Sequence, residues 1–227
     1  MPSCFSMAAR GKIIDLRKLL AERFPHASVA AATQLITGLA FLDEAIDGGL
    51  PKGAITELIS PRISGGSASL IHALLQVAQR DRFFLALIDG RDSFDPSASG
   101  GLGNAGLHHL LWVRCANAVD AIKAADLLLR DGNFPLVIVD LVLNPPEELR
   151  KISQTSWYRL QRLVEPAPTA CLVMTRQGMV SSAELKIVLE NSWTLESFED
   201  ENAISRLQIR VQRSHLHLPD AQIGGGN

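Results

Sequence analysis

Apolar residues in this chain fall into short blocks that alternate between two periods. Continuous apolar runs at 54–59, 83–89, 110–113, 136–140 and 170–175 predict strands, and those at 83–89 and 110–113 read as strands covered on both faces. Helical spacing fills the gaps between them. Leu70, Ile71, Leu74, Leu75 and Ala78 predict a helix over 68–80, and a second covers 118–130, stopped by Asp131-Gly132. Asn144-Pro145-Pro146-Glu147 opens a third that runs to about Val164, with Pro166 beyond it as a stop. Nearer the start, residues 35–51 read as a short strand, a helix around 42–46 and a Gly48-Gly49 stop.

Strands that alternate with helices predict a mainly parallel sheet flanked by helices, an α/β fold. The end of the chain breaks the rhythm: residues 191–196 and 205–216 read as two successive strands that extend one sheet edge as antiparallel pairs. Residues 93–106, rich in Ser and Gly, read as a loop. Ahead of the core, residues 13–24 form an amphipathic helix with Ile13, Leu16, Leu20 and Phe24 on one stripe, closed by Pro25. A helix of that length is marginal alone, so the stripe must pack on the core or on a partner. The organisation expected is an N-terminal helical segment (1–34), a core domain (35–221) and a disordered Gly-rich tail (222–227).

Composition narrows the class without choosing the function. An apolar share of 47% over 227 residues is ample for one large core, and the formal net charge of −2 gives no push toward nucleic acid or membrane. Cys4, Cys115 and Cys171 are odd in number and far apart, which suits buried thiols in a reducing compartment. No apolar run approaches the ~18 residues of a membrane span, and the first residues lack a signal-peptide core, so a cytoplasmic protein is expected.

The candidate chemistry lies between the run at 54–59 and the helix after it. A phosphate-binding loop there reads G-x-x-x-x-G-K-[ST], its lysine reaching the β- and γ-phosphates. This chain has Ser60-Pro61-Arg62-Ile63-Ser64-Gly65-Gly66-Ser67, with Ser60 at the first glycine and Gly66 at the lysine. Ser64, Gly65, Gly66 and Ser67 still offer backbone N–H groups at a helix start, a generic anion site. Asp140 closes the most hydrophobic strand, where nucleoside triphosphatases hold magnesium through water.

Thr37-Gly38-Leu39-Ala40-Phe41-Leu42-Asp43 and Gly48-Gly49-Leu50-Pro51-Lys52-Gly53-Ala54-Ile55-Thr56-Glu57 resemble the approach to the phosphate loop of RecA-type recombinases. Leu87-Ile88-Asp89-Gly90-Arg91-Asp92-Ser93-Phe94-Asp95-Pro96 is similar to that family's second strand and turn, Val139-Asp140 to its magnesium strand, and residues 205–221 to its closing strands. The resemblance implies a RecA-like P-loop core with antiparallel C-terminal edge strands. It also implies that Arg91 stands where the family carries the glutamate that activates water, and a guanidinium cannot be a general base. The two places where the family binds single-stranded DNA, after 140 and after 175, are short and lack an aromatic, although Arg176 could touch a phosphate.

A RecA-like domain with these departures resembles the ImuA group of bacterial DNA-damage (SOS) accessory proteins. The likeness implies a non-catalytic protein acting in translesion synthesis through an ImuB-like, Y-family-type polymerase partner. It implies no cofactor beyond weak ATP and magnesium binding, indirect or weak contact with DNA, no membrane, and room for homo-oligomers. Leu16, Leu20 and Phe24 are then the candidate partner interface, and Asp140 a vestigial magnesium position with no metal expected. Two alternatives stand beside it: an ATP-dependent, DNA-binding recombinase, and a division inhibitor resembling SulA that binds a tubulin-like FtsZ. His215 with His217, His108 with His109, and Cys171 with His72 lack the context for a metal or nucleophile site. Trp112, Trp157 and Tyr158 read as core or interface anchors.

Overall fold

The computed structural model describes residues 33–63, 65–96, 107–190 and 207–214. The expected helix at 13–24 with Leu16, Leu20 and Phe24, the expected strand at 191–196, the Gly tail, Ser64, His215 and His217 lie outside them.

The strands are β1 (Gln34–Leu35), β2 (Leu50–Pro51), β3 (Ala54–Ile59), β4 (Leu85–Asp89), β5 (Leu110–Arg114), β6 (Leu136–Asp140), β7 (Ala170–Thr175), β8 (Leu185–Leu189) and β9 (Ile209–Ser214). The helices are α1 (Ala40–Ala45), α2 (Ser67–Arg80), α3 (Ala118–Asp131), α4 (Pro146–Leu149) and α5 (Gln154–Val164). Seven strands form one sheet in the order β5-β4-β6-β7-β3-β8-β9, parallel except for the antiparallel pairing of β9 with β8. This is the α/β architecture with an antiparallel edge pair that the residue pattern predicts. β1 and β2 make a separate two-stranded antiparallel ribbon. No helix among the described residues is long and apolar enough to cross a membrane.

Period-two alternation divides the core into two layers. Leu85, Leu87, Leu136, Ile138, Leu172 and Met174 face α1 and α2, while Ala86, Ile88, Val137, Val139, Cys171 and Val173 face α3, α4 and α5. All twelve are fully or almost fully buried, so the strands read as unbroken apolar runs and each face has its own helices. α1 is set by Asp43, whose carboxylate accepts from the Thr37 N–H at 3.0 Å, the Thr37 hydroxyl at 2.7 Å and the Gly38 N–H at 2.8 Å. That bond set is a capping interaction reaching back over the helix start.

Three sequence expectations change, and one strand that the residue pattern did not predict is added. The run at 83–89 starts pairing only at Leu85, leaving Phe84 exposed. β5 is an edge strand with Leu111 partly exposed, so it is not covered on both faces. The helix expected over 145–164 is two, because Ser153 takes extended backbone and its Oγ accepts from the Ser156 N–H, starting α5 afresh. The strand beside β3 is Leu185–Leu189, and it pairs in parallel.

β8 is placed by a buried carboxylate. Glu57, in the interior strand β3 and fully buried, stands opposite Lys186 in the β3–β8 register, and the Lys186 ammonium lies 2.6 Å from Glu57 Oε2. Glu57 Oε1 accepts from the Met179 N–H at 2.7 Å, the Val180 N–H at 3.0 Å and the Thr175 hydroxyl at 3.3 Å. Lys186→Met would strand this carboxylate in the core and should cost about 3–5 kcal/mol. The double change Glu57→Gln with Lys186→Met should cost clearly less than the sum of the two single changes, as read by a double-mutant cycle in urea. Strict additivity would show that the two charges are not coupled.

Candidate functional site

At the C-terminal ends of β3, β4 and β6 three short segments converge. The segment after β3 folds back on itself: Ser60 Oγ donates to the Arg62 carbonyl at 3.0 Å, and the Gly65 N–H donates to the same oxygen at 3.1 Å. Gly66 then caps α2 with φ of 91°, a left-handed backbone that favours glycine, and no side chain caps the first turn. Ser67 is the first residue of the helix and is buried.

The segment after β4 is organised by Asp89. Its buried carboxylate accepts from the N–H of Arg91 at 3.2 Å, of Ser93 at 2.8 Å and of Phe94 at 2.8 Å, and from the Trp112 indole N–H at 3.4 Å. Arg91 is thereby turned toward α4, its guanidinium 3.4 Å from Glu148. Glu148 also accepts from Asn144 at 2.9 Å and from the Ala118 N–H at 3.1 Å, so it ties three segments together. Those two hydrogen bonds, Asn144 first, hold its carboxyl below the ordinary range. Gly90 makes the crossing possible, since a Cβ there would meet Asn144 Oδ1 at 2.5 Å and the Asp140 carbonyl at 2.8 Å.

Asp140 ends β6 directly opposite Asp89 in register, and its Oδ1 accepts from the Val142 N–H at 3.0 Å. Burial pushes its carboxyl up to about 6; the Val142 N–H pulls the other way and the Asp89 carboxylate adds to the rise. Between α2 and these segments lies a cavity of about 160 Å³ lined by Ser67, His72, Asp140 and Asp95 among the apolar Ile63, Ile71, Phe94, Val142 and Leu143. Neither Lys nor Arg is among its described lining residues. The His72 ring stacks at 5.0 Å from Phe94, and burial lowers its pKa against the opposing pull of Asp95.

The structure therefore brings Ser67 and Asp140 onto one cavity, with Gly65 and Gly66 at the adjoining helix start. Arg91 is paired with Glu148 and does not line the cavity. Cys171 and His72 do not meet, because β7 turns Cys171 to the α3–α5 face while α2 packs on the other. Burial pushes the Cys171 thiol up to about 12, as befits a structural cysteine. Trp157 is core, Tyr158 is exposed, and no group of three metal-binding side chains occurs among the described residues. The network of Asp89, Asn144 and Glu148 escaped the sequence reading. Asp89 was visible only as an acid ending a strand, and nothing local in sequence links Glu148 to residues 57 positions earlier.

Residues 22–165 match the RecA N-terminal domain family. The chain is 32% identical over 120 residues to Protein RecA of Picosynechococcus sp., covering 53% of this chain and 34% of the relative. It is 33% identical over 129 residues to DNA repair protein recA homolog 1, chloroplastic, of Arabidopsis thaliana (56% and 29%), and 35% identical over 125 residues to Protein RecA of Acinetobacter baumannii (54% and 35%). The match thus spans about a third of the length of these relatives.

The raised Asp140 carboxyl fixes the sign of a pH effect. The folded chain keeps a proton that the unfolded chain releases near pH 4, so stability from this group is full below that pH and is lost as pH rises through about 6. The loss at neutral pH is at most about 3 kcal/mol. Asp140→Asn, which can still accept from Val142, should raise the urea midpoint at pH 8 and change little at pH 4. A lower midpoint at pH 8 would mean that the charged carboxylate is favourable in the fold.

Proposed function

This chain belongs to the RecA N-terminal domain family, and from that premise we propose that it is a non-catalytic, RecA-like accessory protein of the ImuA type. It acts by protein–protein contact in the bacterial DNA-damage response, in translesion synthesis beside a Y-family-like polymerase. The observation that carries the reading is the cavity at Ser67 and Asp140. It presents two carboxylates, one imidazole and apolar walls, and none of its described lining residues is Lys or Arg. Nucleoside triphosphate sites need cations and converging N–H groups on the phosphates. Losing one charge-assisted hydrogen bond costs about 1.5–3 kcal/mol of binding. A volume of about 160 Å³ is also below the ~300–1,000 Å³ of ordinary ligand clefts. A triphosphate and its magnesium are a poor match for this set of described residues.

Arg91 supports the same reading. It occupies the family's water-activating position and faces Glu148, and loss of a general base removes roughly 100- to 10,000-fold in rate. The short, Glu57-bound turn after β7 leaves little backbone for a DNA-binding loop. The competing reading, an ATP-dependent recombinase, draws on Ser67 and Asp140 sharing one cavity and on the RecA names of the relatives.

Two experiments separate these readings. Co-expression with a Y-family-like polymerase should co-purify a complex that deletion of residues 1–26 abolishes while the truncated chain stays folded; no complex with the full chain would count against the accessory role. Gly66→Lys should show no steady-state phosphate release, because Arg91 supplies no base and a lysine at φ of 91° carries about 1–2 kcal/mol of backbone strain. Measurable turnover in that variant would refute the claim.

A further inference from the structure

Helices α3 and α5 lie side by side over the face opposite α2, and a cleft of about 330 Å³ opens between them beside Ile122, Leu127 and Leu160. Farther along the same two helices a second cavity of about 370 Å³ opens beside Leu129 and Leu163. A single exposed leucine is ordinary. Leu127, however, is 67% exposed on the lip of this concave apolar cleft. The two cavities sit some six to seven residues apart along α3, about 10 Å at 1.5 Å per residue. That is the separation of anchors at i and i+7 on a docked helix.

Charge along the groove is one-sided. Lys123 and Arg159 line the first cavity and Arg130 and Arg162 the second, against the single acid Asp126. Asp126 is already shared, accepting from Arg159 at 2.6 Å and from Arg130 at 2.9 Å, and the Arg159 hydrogen bond leads in holding its carboxyl below the ordinary range. Lys123 is offset by Asp120 at 2.9 Å. Arg162 has no carboxylate partner among the described residues. Both guanidiniums on Asp126 remain more than half exposed, so each keeps donors for a further anion.

We propose that this groove docks an amphipathic helix of a partner protein, its apolar side chains filling the cleft beside Leu127 and its flanking carboxylates meeting Arg130, Arg159 and Arg162. The apolar floor and Asp126 favour such a helix over a nucleic-acid backbone, which would bring phosphates and little to fill the two cavities. The inference goes beyond the accessory role and does not depend on the polymerase as partner; co-purification with that polymerase tests the role separately.

The test uses the full chain and a fluorescein-labelled synthetic helix of about five turns with leucines at i, i+3/i+4 and i+7 and flanking glutamates, beside a twin carrying lysines instead. In fluorescence anisotropy the glutamate helix should bind saturably and the lysine twin should not. Leu127→Glu and Arg162→Glu, shown folded by circular dichroism, should each weaken binding about tenfold or more, while Ile36→Glu at an unrelated exposed site should not. Absence of saturable binding, equal binding of the twins, or an unchanged affinity in Leu127→Glu would overturn the proposal. So would preference for an oligo-dT strand, or a concentration-dependent dimer in sedimentation that Leu127→Glu abolishes, which would give the groove to nucleic acid or to a second copy.

Discussion

The fully buried Glu57 carboxylate is the constraint on which the rest of this architecture depends. A charge in an interior strand of a sheet covered on both faces is tolerated only when its oxygens are occupied, and here one ammonium, two backbone N–H groups and a hydroxyl occupy them. Each partner then has a fixed place. Lys186 sets the β3–β8 register, which in turn sets the strand that β9 joins, while Met179 and Val180 draw the segment after β7 into a tight turn against the end of β3. The same strand leads into the segment that holds Ser60 and Gly66, so the geometry of the candidate site starts from a strand that cannot slip.

Two further carboxylates repeat the pattern at the neighbouring strand ends with different results. Asp89 is saturated by N–H groups and serves to fold its turn, directing Arg91 away from the cavity toward Glu148. Asp140 receives one backbone N–H, sits opposite Asp89 and is driven toward its neutral form by burial. Of the three strand-end and mid-strand acids, it alone faces the cavity with spare acceptor capacity. The cavity around it offers a ligand little positive charge among its described lining residues, whereas the α3–α5 groove on the other face carries an excess.

The fold was legible because the parallel strands announce themselves: residues 136–140 and 170–175 are continuous apolar runs that only a sheet buried on both faces explains, and their bounds match. What stayed hidden depended on long-range pairing. β8 carries a lysine in its second position, which breaks the apolar run and makes sense only opposite Glu57. The break between α4 and α5 turns on Ser153 acting as a cap, a choice that a helical pattern continuing through 150–153 conceals. At the candidate site, Ser67 and Asp140 were readable from their places after one strand and at the end of another, because topology brings such ends together. The pairing of Arg91 with Glu148, and the apolar wall of Ile63, Phe94 and Leu143, come from turns whose shape no local motif encodes.

The central claim, a RecA-family core that works without nucleotide, is met most directly by titrating ATP with magnesium into the full chain by calorimetry, with Asp140→Ala as the control. No saturable heat in the micromolar range and no difference between the two proteins are expected. Micromolar binding accompanied by turnover, with both lost in Asp140→Ala, would contradict that claim.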